Sequence, residues 1–185
     1  MLAAVALGAS PASAEPVGVA QIRAELSKQP TTAAQLQRKI DLQLKLAPGG
    51  TQISANEVSY NNGQFVVTYA LPNSIQAVQA AADCPSNWFC FYDGANFTYP
   101  RGKLSSCGWQ DLGAYGWADR TSSVDNGSGS QIIFINHYDQ GNPNNGHIHD
   151  VELFRVNNWS QKSTLPSTAD DAANHVNRIQ GSCGP

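Results

Sequence analysis

Charged side chains are scarce. Lys, Arg, Asp and Glu make up 14% of the 185 residues, and the net charge is only −3. That balance gives no bulk attraction for nucleic acid or for an anionic membrane surface. Beyond the first residues there is no apolar run long enough to span a bilayer. Cysteine is absent before residue 84, and none of the four cysteines stands in a CxxC pair, which argues against a structural zinc site. There is no GxSxG nucleophile elbow. Ser122 and Ser123 lie near Asp119, but a triad would also need a distant histidine. Paired carboxylates for glycoside cleavage are also thin: Asp170 and Asp171 are adjacent, and Glu152 is the only Glu after residue 83. No catalytic residue is therefore assigned, and the chain is expected not to be an enzyme.

What the chain does have is unevenly distributed. All four Trp, all four Cys and all four His lie beyond Asp83. Residues 1–14 carry a short apolar run, Leu2 to Leu7, and the small-x-small triplet Ala12-Ser13-Ala14, which reads as a remnant of a secretory signal peptide. An even cysteine count in an exported chain suggests two disulfides, and four cysteines allow three pairings. Residues 15–72 read as a helical segment followed by a β-hairpin. Val19, Ile22 and Leu26 recur on one helical face, as do Ala33, Leu36 and Ile40 after a cap at Thr31 or Thr32. Pro48-Gly49-Gly50 stops the second helix. Alternating Val58 and Tyr60, then Phe65, Val67 and Tyr69, flank the turn Asn61-Asn62-Gly63. Residues 73–83 read as a linker.

Residues 84–185 read as short strands punctuated by turns, the pattern of an antiparallel sandwich. Candidate strands are Phe89 to Tyr92, Gln131 to Tyr138 and Val151 to Val156. Two pieces resemble a βγ-crystallin Greek key: Tyr92-Asp93-x-x-Asn96-Phe97, which would fold a hairpin under an aromatic ring, and Asp119-Arg120-Thr121-Ser122-Ser123-Val124, whose serine would tie that hairpin down. Asp170-Asp171-Ala172-Ala173-Asn174-His175-Val176 stands where a second, degenerate closing motif belongs. The expected fold is mainly β: a two-Greek-key βγ-crystallin-like sandwich with a small N-terminal α+β region.

Within that fold, CPSNWFCFYDGANF, SSCGWQDLGAYGW and DRTSSV together resemble the secreted actinobacterial (streptomycete-type) metalloproteinase inhibitors, strongly over residues 84–136 and loosely over 137–185. The resemblance implies a secreted, monomeric, non-enzymatic inhibitor of extracellular thermolysin-like metalloproteases, with neither nucleic acid nor membrane as a partner. It also implies the pairings Cys84–Cys90 and Cys107–Cys183. Two departures stand out. Tyr99 occupies the hairpin position where the fold usually has Gly, so the hairpin either shifts onto Gly102 or strains Tyr99. No cysteine lies between Cys107 and Cys183 to staple a loop of the second key, so the inhibitory loop is unknown. The loop from Asp139 to His147 and the Cys84–Cys90 loop are the first candidates.

The fold requires no cofactor, although calcium is possible. Asp119 with Ser122 in the first closing motif, and Asp171 in the second, supply the oxygen donors such an ion takes. The alternative function is a non-inhibitory crystallin module binding calcium or a cell-surface partner. His147-Ile148-His149-Asp150, with His137, has the i, i+2 spacing of a zinc site on one strand face, but solvent-facing histidines around a buried Ile148 fit the pattern equally.

Overall fold

A computed structural model of the chain describes residues 18–75, 81–137 and 150–179. Among them no helix is long and apolar enough to cross a membrane.

Two helices open the described chain, α1 (Val19–Ser27) and α2 (Ala33–Leu46). Thr32 is the cap of α2: its hydroxyl accepts from the Gln35 N–H at 3.2 Å. Leu36, Lys39, Ile40 and Gln43 form the buried face of α2, and Ile22 and Leu26 that of α1. The helix stops where Ala47 donates back to the Gln43 carbonyl and Gly49 turns left-handed at φ 98°. The chain then forms β1 (Thr51–Gln52), β2 (Glu57–Tyr60) and β3 (Phe65–Thr68). The β2–β3 hairpin pairs Tyr60 with Phe65, and Asn61, Asn62 and Gly63 supply its left-handed turn residues.

Eight further strands follow among the described residues: β4 (Phe89–Gly94), β5 (Thr98–Leu104), β6 (Gly108–Asp111), β7 (Ser123–Asn126), β8 (Ile132–Asn136), β9 (Val151–Val156), β10 (Gln161–Lys162) and β11 (His175–Arg178). All pairings are antiparallel. The first sheet runs β1-β2-β3-β5-β4-β7-β10 and the second β6-β11-β8-β9. Strands β4 to β7 form one key and β8 to β11 the other. Each key sends its third strand, β6 or β10, into the sheet of its partner. This exchange makes the two keys one interlocked β-sandwich rather than two abutting sheets. The N-terminal hairpin joins the same construction, because Phe65 to Thr68 pair with Leu104 to Arg101. The compositional boundary at Asp83 therefore falls between strands of one sheet.

Apolar rings fill the space between the sheets. Phe91 meets Trp117 at 5.2 Å and Phe134 of the opposite sheet at 6.1 Å, both edge-on. Gly102 lies under Phe91: a Cβ there would come within 2.3 Å of the ring. Glycine is needed at 102 for this close approach, not for its backbone angles.

The hairpin between β4 and β5 folds over as the aromatic spacing suggests, but not at the residue expected. Its left-handed positions are Asn96 (φ 54°) and Phe97 (φ 61°), not Tyr99 or Gly102. Tyr99 lies in β5 and is not left-handed; its peptide bond to Pro100 is cis. Asn accepts the left-handed region readily, and Phe97 is held there by packing. Tyr92 covers the Phe97 ring edge-on at 5.5 Å. Ser123 ties the fold down twice, donating to the Gly94 carbonyl at 2.7 Å and accepting from the Phe97 N–H at 2.9 Å.

Candidate functional site

The two closing segments meet across a pseudo-twofold axis. Asp119 N–H donates to the Ala173 carbonyl at 2.9 Å, and Asp171 N–H to the Thr121 carbonyl at 3.2 Å. Asp119 (φ 56°) and Asp171 (φ 50°) are both left-handed. The degenerate second motif thus folds like the first.

Their side chains differ. Ser122 Oγ donates to Asp171 Oδ1 across the axis at 3.3 Å, which brings together two of the three residues singled out as oxygen donors. Partial burial, then the charges of Asp170 and Asp93, push the Asp171 carboxyl above the usual aspartate range. Asp119 does not join them. Its carboxylate pairs with the Arg23 guanidinium of α1 at 3.3 Å. Asn174, which faces it in the symmetric arrangement, spends its amide on His137 and Asn136. Ser122 and Asp171 thus bring two oxygen donors together, where a calcium ion takes about six to eight, whereas the Asp119 carboxylate already has the positive charge of Arg23 beside it.

His137 Nδ1 lies 2.5 Å from Asp150 Oδ1. His147, His149 and the loop from Asp139 to His147 lie outside the described residues. Among the described residues no group of three or more His, Cys, Asp or Glu could hold a metal ion.

The other expected site is the short cysteine loop. Cys84 and Cys90 form a disulfide with a Cα–Cα separation of 5.6 Å. Cys107 is also disulfide-bonded; its expected partner, Cys183, lies outside the described residues. Between Cys84 and Cys90 the loop exposes Pro85, Ser86 and Asn87. Both of its ends are fixed. Asp83 accepts from the hydroxyls of Tyr92 and Tyr99 and pairs with Arg101 at 2.9 Å. Cys84 N–H donates to Asp125 Oδ2 at 3.1 Å. The middle of the loop is pinned where Asn87 N–H donates to the Gly127 carbonyl at 2.7 Å. A Cβ on Gly127 would lie 2.7 Å from the Pro85 carbonyl oxygen, so glycine is required for this contact.

Gly127 has a neighbour that the sequence pattern did not single out. Asn126, only 2% exposed, donates from Nδ2 to the carbonyls of Ser130 (2.7 Å) and Asn157 (2.9 Å), and its Oδ1 accepts from Ser128. It thereby ties the 126–130 turn to the turn after β9. In the sequence it reads only as the turn residue of Asn126-Gly127. The Trp set among polar turn formers in Asn157-Asn158-Trp159-Ser160 was the one available signal for the second turn.

Residues 77–151 match the model of peptidase inhibitor family I36. This supports a protease inhibitor, and the matched segment contains the whole Cys84–Cys90 loop. No curated protein matches the chain. Several solved structures resemble it, three of which follow. One, from work on the evolution of the eye lens βγ-crystallin domain fold, is 20% identical and covers 55% of this chain and 95% of its own, with a TM-score of 0.41. A βγ-crystallin domain from Flavobacterium johnsoniae is 20% identical, covering 51% and 96%, with a TM-score of 0.37. Spherulin 3A from Physarum polycephalum is 19% identical, covering 55% and 92%, with a TM-score of 0.38.

Proposed function

We propose that the protein is a secreted, monomeric inhibitor of an extracellular metalloprotease of the thermolysin-like kind, and that it works without catalysis. The observation that carries this reading is the match of residues 77–151 to a peptidase inhibitor family, over a segment that includes the stapled loop. A rigid loop binds a cleft better than a floppy one because less conformational entropy is lost on binding. The disulfide, the Asp83 anchor and the Gly127 contact all restrict the 84–90 loop before any partner arrives. Disulfides form and persist in oxidising compartments, which suits action outside the cell.

The test is a titration of the purified protein into thermolysin, with a subtilisin-type serine protease run beside it. Loss of thermolysin activity at stoichiometric protein, with the serine protease untouched, is the expected result. Inhibition of the serine protease alone would overturn the metalloprotease assignment. No effect on either at micromolar protein would overturn inhibition of both classes.

A second reading is favoured by one observation: Ser122 and Asp171 face each other with the carboxyl pushed toward its neutral form. A calcium ion there would offset the charge of Asp171. Millimolar calcium is then expected to raise the melting temperature, and the Asp171→Asn variant to lose that response.

A further inference from the structure

Trp159 is the largest apolar side chain that the described surface leaves open, 61% exposed, and its backbone is left-handed at φ 54°. A bulky L-residue in that region is unfavourable, and Gly or Asn would relieve the strain. Exposure of the indole also brings little burial energy in return. Neither stability nor solubility accounts for a tryptophan at this position.

The surrounding turns hold it firmly. Trp159 N–H donates to the Ser128 carbonyl at 3.1 Å, Asn126 N–H to the Ser160 carbonyl at 2.9 Å, and Ser160 Oγ to the Asn157 carbonyl at 2.7 Å. The 126–130 turn, which accepts the first of these bonds and donates the second, is the one that pins Asn87 of the stapled loop through Gly127. The stapled loop and the Trp159 turn are thus fixed to one shared support at the same end of the sandwich. Asn87, at φ 69°, gives the stapled loop a left-handed residue of its own.

We infer that Trp159 and the 84–90 loop form one binding surface, in which Trp159 fills an apolar side-chain pocket of the target protease while the stapled loop lies along its cleft. Exposed aromatic anchors beside rigid polar loops are the pattern of interface hot spots. The inference rests on the inhibitor reading above and adds the residue that would anchor it.

The experiment compares inhibition of thermolysin by the wild-type chain, Trp159→Gly, Trp159→Asn and Ile53→Ser. Ile53 is an exposed apolar residue outside both loops, 56% exposed. The expected result is an inhibition constant raised at least tenfold by both Trp159 variants, with melting temperatures unchanged or raised, and wild-type inhibition by Ile53→Ser. Wild-type inhibition by both Trp159 variants would overturn the role of Trp159 and leave the inhibitor reading standing. An equal loss in Ile53→Ser would overturn it too, by showing that any lost surface apolar group has the effect. A wild-type chain that inhibits nothing would overturn both. If gel filtration shows a dimer that the Trp159 variants dissolve while inhibition persists, the residue belongs to self-association instead.

Discussion

Ser123 shows how much one hydroxyl can hold. It satisfies the Gly94 carbonyl and the Phe97 N–H together, in a buried position. Ser123→Ala would leave both unpaired and let the folded hairpin lift from β7. The expected loss is about 1–3 kcal/mol, measured by urea denaturation. A loss below a few tenths would mean the Tyr92–Phe97 contact alone holds the hairpin. Asp171 makes the opposite prediction. Its carboxyl titrates higher in the fold than in the unfolded chain, so the fold binds the proton more tightly. Ionisation of Asp171 therefore costs stability in full above its folded pKa, and the cost fades as pH falls through the folded value and is gone below the unfolded one. Asp171→Asn, which also tolerates the left-handed backbone, is expected to melt higher than the wild type at pH 7 without calcium. The difference should close in acid. A gap that stays constant with pH would remove ionisation as the cause.

At the scale of elements, the length of the loop a disulfide closes sets how much it stabilises. The Cys84–Cys90 loop spans seven residues (90 − 84 + 1), for which the chain-entropy model gives about 2.4 kcal/mol. If Cys107 pairs with Cys183, that loop is much longer, and Cys107→Ser is expected to lower the melting temperature more than Cys90→Ser. Equal losses would sink either that pairing or the entropic account. The strands themselves were legible because alternation and turn residues report local geometry: Val151 to Val156 is a strand at the bounds read from sequence. The hairpin position was not. The resemblance placed the left-handed turn at Tyr99 or Gly102, yet the left-handed residues are Asn96 and Phe97, because the ring of Phe97 packs under Tyr92 and over-determines the backbone. Packing across the sheet decided that, and no local pattern encodes it. The same holds for the site. The family resemblance pointed to the stapled loop, but Asn126 acts through carbonyls at 130 and 157, and the pairing of Arg23 with Asp119 spans 96 residues. Contacts of that range leave no trace in spacing.

At the scale of the whole molecule, the N-terminal helices and hairpin share the core of the sandwich. Gln43 of α2 is fully buried. It accepts from the Tyr69 hydroxyl at 3.0 Å and donates to the Tyr60 hydroxyl at 3.1 Å and the Tyr115 carbonyl at 2.7 Å. Arg120, 2% exposed, stacks on Trp117 and pairs with Asp93 at 2.8 Å, and Ser27 of α1 donates to that same carboxylate. Ile22, Leu26, Leu36, Ile40, Val58, Phe65 and Val67 belong to the same apolar cluster as Phe91, Trp117 and Phe134. β3 also covers the edge of β5, which would otherwise offer unpaired backbone groups to another chain. A chain beginning at residue 73 would therefore open the Arg120–Asp93 pair to water, uncover Trp117 and free the β5 edge. The full chain is expected to unfold in a single calorimetric transition, with equal calorimetric and van't Hoff enthalpies. The shortened chain is expected to bind a hydrophobic dye and to aggregate or melt well below the full chain. Two separate transitions in the full chain, or an unchanged melting temperature in the shortened one, would show instead that the sandwich folds without its N-terminal neighbour.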